Sequence, residues 1–70
     1  MQPTSEAPGA NLRNRRLERG MSQDQLAQAT GLTKTTIQNL ENGRSPGYRH
    51  TWQRIAAALG TTVASLREVA

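Results

Sequence analysis

Lys34, Thr35, Gln38 and Asn39 stand within the stretch KTTIQN, which brings an ammonium, a methyl-bearing hydroxyl and two amides close together. Those groups share one chemistry, the recognition of base edges. An amide at Gln38 or Asn39 can pair with both N6 and N7 of adenine. Lys34 can reach guanine, and the Thr35 methyl can meet the methyl of thymine. The plainer reading of the same residues is a solvated polar face. Other chemistries find no support. Glu6, Glu18, Asp24, Glu41 and Glu68 are scattered rather than paired, so general acid–base work has no obvious site. His50 is the only histidine and there is no cysteine, which leaves no metal cluster and no disulfide framework. We expect no enzyme, no metal, no cofactor and no small-molecule ligand.

Charge points the same way without deciding the matter. Nine basic residues against five acidic ones give a formal charge of +4, and all the basic residues but Lys34 are arginine. Such an excess suits a polyanion, because neutralising phosphates releases condensed counterions. A merely basic soluble protein fits the composition equally well. No apolar run approaches the ~20 residues that span a bilayer, and the N-terminus lacks the charged-then-apolar layout of a signal peptide. The expected location is cytoplasmic.

The elements that would hold those side chains are all helical. The 70 residues make one domain, and a chain so short buries only about 60% of the surface its unfolded form exposes. Residues 1–9, with two prolines, a glycine and no basic residue, read as a disordered N-terminal tail, leaving 10–70 as the domain. A first helix runs from about Ala10 to Arg19, with Leu12, Arg16 and Arg19 on one face and Gly20 past its end. Ser22-Gln-Asp-Gln25 forms a capping box that opens a second helix, with Met21 as its staple; Gly31 closes it. Thr33 caps a third helix that ends near Asn42-Gly43. A loop through Pro46 and Gly47 leads to a fourth helix, about Arg49 to Leu59, closed by Gly60. Thr62 to Leu66 suggests a short fifth. No segment alternates with period two for long enough to argue a strand. The fold class is all-α, a compact five-helix bundle.

Two of these helices meet with almost no linker. Ala27 is small where they cross, Gly31 tolerates positive φ at the corner, and Leu26, Leu32, Ile37 and Leu40 face a shared core. That spacing is what a helix-turn-helix requires sterically. With Ile37 at zero and about 100° per residue, Leu40 and Glu41 point inward, Thr35 and Asn39 nearly opposite, and Lys34 and Gln38 lie at the flank.

The stretches RGMSQDQLAQATGL (Arg19–Leu32), TIQNLENGR (Thr36–Arg44) and IAAALGTTVASL (Ile55–Leu66) resemble the phage repressor and Cro-type, XRE-like, family of helix-turn-helix regulators. The resemblance implies a repressor-like five-helix domain, transcriptional control, and dimeric binding to a two-fold operator. The helix near 34–41 would then enter the major groove of double-stranded DNA, with Lys34, Thr35, Gln38 and Asn39 reading bases. Thr30 stands where the family usually has an aliphatic residue, and Arg15 where leucine is frequent on the first helix.

Phosphate contacts should flank that helix. The second helix begins with free amides and a positive dipole end, Gln23 adds a donor there, and in the family this glutamine often holds the DNA backbone. Arg44 is the next candidate, followed by Asn42, Arg49 and Arg13. Arg16 and Glu41 point into the domain, where an unpaired charge is costly. The family commonly pairs an arginine and a glutamate at these places, so they read as a structural ion pair. Trp52 reads as core or interface rather than a base-stacking platform.

A rival from another class is a helical protein-interaction module, coactivator- or antitoxin-like, on the same fold. Against it stand Gln23, Lys34, Gln38, Asn39 and Arg44 where DNA binding needs them. Single-stranded RNA is a distant third, with one tyrosine, one tryptophan and no phenylalanine available for stacking. Among regulators, repression is favoured over activation. One domain reads few base pairs, so a weak homodimer on a palindromic operator is expected, touching through Val63, Leu66, Val69 and the loop between the third and fourth helices.

Overall fold

The computed structural model describes residues 8–67, which form five helices and no strand. These are α1 (Pro8–Glu18), α2 (Gln23–Thr30), α3 (Lys34–Glu41), α4 (Arg49–Leu59) and α5 (Val63–Arg67). Leu12, Leu26, Ala27, Ile37, Leu40, Trp52, Ile55, Ala56, Leu59 and Leu66 make one buried cluster, so every helix contributes to a single core. Met21, Leu32, Ala58 and Val63 close its edges.

Local chemistry sets where α2 and α3 begin and end. The Ser22 hydroxyl accepts from the Gln25 amide at 3.0 Å, and the Gln25 side chain accepts from the Ser22 amide at 2.7 Å. This reciprocal cap satisfies two amides that the helix itself leaves without partners. Gly31 at φ 76° then turns the chain, and Ala27 O accepts from both the Gly31 and Leu32 amides. Thr33 caps α3 by accepting from the Thr36 amide at 3.1 Å. Thr30 is buried, and its hydroxyl donates back to Leu26 O at 2.8 Å. A threonine in an aliphatic place thus brings its own acceptor.

Three boundaries differ from the sequence reading. The first helix starts at Pro8, not Ala10, so Pro8 and Gly9 belong to the domain rather than the tail; residues 1–7 lie outside the described residues. Proline suits a first helical turn, where its missing N–H costs nothing. Gly9 is there for a long-range reason. It packs against the carbonyl oxygens of Leu40 and Glu41 at the end of α3, where a side chain would not fit. At its other end α1 stops at Glu18, and Arg19 is exposed instead of sharing the inward face of Leu12 and Arg16. The fifth helix begins at Val63, with Thr62 outside it as a cap whose hydroxyl accepts from the Ser65 amide.

Arg15, on the outer side of α1, donates to the Ser65 hydroxyl at 3.1 Å and so ties α1 to α5 where the family often has leucine. Trp52 is buried, and its indole N–H donates to Pro46 O at 2.8 Å. That bond fixes the path of the α3–α4 loop. Gly47 lies against this tryptophan at φ 75°, with no room for a Cβ beside the indole nitrogen.

Candidate nucleic-acid interface

Leu40 and Ile37 anchor α3 in the core; Thr35 lies nearly opposite them and Lys34 at the flank, both exposed. Gln38 and Asn39 lie beside them, half-buried. The four side chains proposed for base edges therefore share one helix of two turns, held by caps at one end and by the core behind. Rigid placement matters because a base-edge hydrogen bond tolerates little displacement.

Around the end of α3 the structure gathers polar groups from three helices. Arg13 and Asn14 of α1, Gln23 at the start of α2, and Glu41 with Asn42 at the end of α3 line one open, mostly polar groove. Three expected phosphate ligands, Arg13, Gln23 and Asn42, thus stand together. Asn14 joins them, and sequence reasoning missed it. Its signal was its place one turn after Ala10, which lines the same groove. Arg44 is exposed just beyond α3, its amide donating to Asn39 O at 2.9 Å. Arg49 is not part of this group. It borders a separate groove with Gly47, Trp52, Val63 and Arg67, at the start of α4.

Arg16 and Glu41 form an ion pair at the floor of this region. Nε of Arg16 donates to Oε2 of Glu41 at 2.6 Å and Nη2 donates to Oε1 at 3.1 Å, a two-pronged contact between α1 and α3. The guanidinium's remaining arm donates to Met21 O at 2.9 Å. Only 8% and 4% of the two side chains is exposed, so neither charge could be carried alone.

Gln23 and Gln38 meet, which their separate sequence roles did not suggest. Gln23 donates through Nε2 to Oε1 of Glu41 at 3.2 Å, and Gln38 donates through Nε2 to Oε1 of Gln23 at 3.3 Å. A continuous line of hydrogen bonds therefore runs from the buried ion pair to the face of α3. Leu66 is fully buried, so it cannot serve the dimer contact expected of it; it fills the core instead, and Val69 lies outside the described residues. In the α3–α4 loop, Tyr48 is 73% exposed, and its ring stacks on His50 with centroids 5.6 Å apart.

Residues 9–69 match the model of the helix-turn-helix domain family. No curated protein sequence matches the chain. Among solved structures, a hypothetical transcription factor from Neisseria is similar, at 31% identity and a TM-score of 0.82, over 87% of this chain and 70% of its own. The clp gene regulator ClgR of Corynebacterium glutamicum is similar at 33% identity and a TM-score of 0.81, over 87% of this chain and 65% of its own. The hydroxypropylphosphonic acid epoxidase of S. wedmorenis shares the fold at 30% identity and a TM-score of 0.79, over 94% of this chain but only 35% of its own. The chain thus spans less than two thirds of ClgR and about a third of the epoxidase. Regulators and a segment of an enzyme share one architecture, so the fold alone does not choose the function. No helix among the described residues is long and apolar enough to cross a membrane.

Proposed function

The chain belongs to the helix-turn-helix domain family, and from that premise we propose that it is a transcriptional regulator that binds double-stranded DNA in a sequence-specific way, with α3 in the major groove. One observation carries the proposal. The side of α3 turned away from Ile37 and Leu40 presents Lys34, Thr35, Gln38 and Asn39 together, and the groove beside it collects Arg13, Gln23 and Asn42. Amides and a cation on a helix suit base edges, and the flanking donors suit phosphates. Arg44 extends the phosphate set past the end of α3. Arg49, on its own groove, is the outlying member.

A domain of this size sitting on an operator blocks it sterically, so repression is the proposed effect, exerted in the cytoplasm where the DNA lies. Two copies on a two-fold site would read half-sites about 34 Å apart. With Leu66 committed to the core, the α3–α4 loop carries the contact between them.

Selection of binding sites from a randomised duplex library tests the reading. Gln38→Ala and Asn39→Ala should each cost roughly 1–3 kcal/mol at one base-pair position while sparing non-specific affinity. An unchanged preference in both would remove α3 as the reading helix. Failure of the parent chain to bind any duplex at low salt would favour the protein-interaction module on the same fold.

A further inference from the structure

The buried carboxylate of Glu41 fixes which end of the Gln38 amide faces outward. An ionised carboxylate only accepts hydrogen bonds, so the Gln23 atom 3.2 Å from it must be the NH2 group. That leaves the Gln23 carbonyl turned toward Gln38, 3.3 Å away, where it in turn accepts only an N–H. The amide nitrogen of Gln38 is therefore held inward. Its carbonyl oxygen, with the one remaining N–H hydrogen beside it, is left for a base.

Each link has a reason to hold. Arg16 donates twice to Glu41, and both side chains are nearly covered, so the carboxylate cannot turn away without stranding a guanidinium. Gln23 opens α2, where the Ser22 capping box fixes the backbone. Gln38 is half-buried and follows Ile37, itself wholly buried. Polarity passes from the ion pair through Gln23 to Gln38 without a free rotor between.

We propose that Gln23 is a positioning residue that sets the base preference of Gln38, restricting it to bases that offer an amino group in the major groove. The proposal rests on α3 being the reading helix. A carbonyl oxygen facing outward accepts from N6 of adenine, while the second hydrogen on Nε2 donates to N7; cytosine offers N4 as a poorer match. Guanine and thymine present O6 and O4, acceptors that confront an acceptor. Gln38 would thus select adenine first, cytosine second, and reject the two keto bases. A freely turning glutamine would draw no such line, because either end of its amide could face the groove. Gln23 then serves specificity from inside the protein, in addition to any phosphate it meets.

Two substitutions at Gln23 separate this from a structural role. Gln23→Met keeps the length and removes both donor and acceptor, releasing the Gln38 amide. Gln23→Lys supplies only donors: one satisfies Glu41, and another obliges the Gln38 carbonyl to turn inward, exposing its NH2 group. Binding-site selection on the parent, both variants and Gln38→Ala gives base preference position by position, with thermal melts confirming that each is folded. The parent should discriminate amino from keto bases by about tenfold or more at the position that Gln38→Ala flattens. Gln23→Met should erase that discrimination, and Gln23→Lys should reverse it toward guanine or thymine. A parent preference for a keto base there would overturn the polarity assigned to the relay. The same preference in parent, Met and Lys variants would show that Gln38 reads alone, leaving the reading helix intact. No change with Gln38→Ala would remove both the relay and this residue's part in reading, and absence of duplex binding altogether would remove the function itself.

Discussion

A Cβ added to Gly9 would stand 2.6 Å from the carbonyl oxygen of Glu41, a distance that real Cβ atoms do not adopt. The Leu40 carbonyl oxygen is closer still. Glu41 is therefore gripped twice by α1, through its backbone at Gly9 and through its carboxylate at Arg16. The last turn of α3 and the first turn of α1 form one close-packed corner, and Ala10 and Glu41 of that corner border the polar groove.

That corner makes Gly9→Ala an informative change. In an ordinary helix, alanine would stabilise by ~1 kcal/mol over glycine. Here the obstruction is backbone, which cannot swing aside as a side chain would. We expect a net loss of about 1–3 kcal/mol, typical of overpacking. Thermal unfolding measures it, and an alanine variant that melts higher than the parent would show that α1 and α3 are not in such close contact.

Removing one partner of the Arg16–Glu41 pair should be far worse than removing both. Glu41→Gln leaves a guanidinium that is almost wholly covered without its counter-charge, and a loss of about 3–5 kcal/mol is expected. For a domain of this size that is a large part of the total. Arg16→Met combined with Glu41→Leu should recover most of the loss, since an apolar pair of similar volume replaces a buried ion pair at little cost. A double variant no more stable than Glu41→Gln would mean that the pair contributes more than mutual neutralisation.

The proposed phosphate set divides by geometry. Arg13 lies on the groove with Gln23 and Asn42, whereas Arg15, two residues on, is bonded to Ser65 of α5. Arg13→Ala and Arg44→Ala should each weaken binding to every duplex and flatten the slope of log affinity against log salt by about 0.9. Arg15→Ala, losing the same formal charge, should leave the slope nearly unmoved. Equal slopes for Arg13→Ala and Arg15→Ala would reduce the groove to part of a diffuse positive field.

Much of the fold can be read from local signals, because those signals act locally. Ser22, Gly31, Thr33 and Gly60 fix the limits of α2, α3 and α4 through bonds within a few residues of themselves, and the structure has those limits where the caps predict. The start of α1 escaped the reading because Gly9 looks like a breaker; its place in a helix depends on carbonyl oxygens from α3. Leu66 looks like a spare apolar residue near the end of the chain until α1 and α4 close over it. The meeting of Gln23 and Gln38 is hidden for a similar reason. Helical periodicity gives each residue a direction on its own helix, but whether two directions converge depends on the crossing of α2 and α3.

The proposed dimerisation on the operator turns on the α3–α4 loop. Leu66 is committed to the core, and Trp52, the largest apolar side chain, is buried with its indole bonded to Pro46. Tyr48 is the large residue that the loop leaves outside, its ring laid flat against His50 at an interplanar angle of 4°. A pair already stacked on itself presents apolar area with less side-chain entropy to lose on association than two free side chains would. So small a surface cannot hold two copies together in free solution, where stable interfaces bury upwards of about 1,000 Å². On DNA the partner's local concentration rises and a weak contact suffices. Tyr48→Ser should therefore leave binding to a single half-site unchanged and reduce cooperativity on a palindrome whose half-sites lie one turn apart. Moving the half-sites apart by half a helical turn should abolish the cooperativity of the parent in the same measure. Sedimentation of the free chain should show a monomer, and of its complex with the palindrome two chains per duplex. A single chain per full palindromic site at saturation, or cooperativity indifferent to both Tyr48 and spacing, would rule out this loop as the contact.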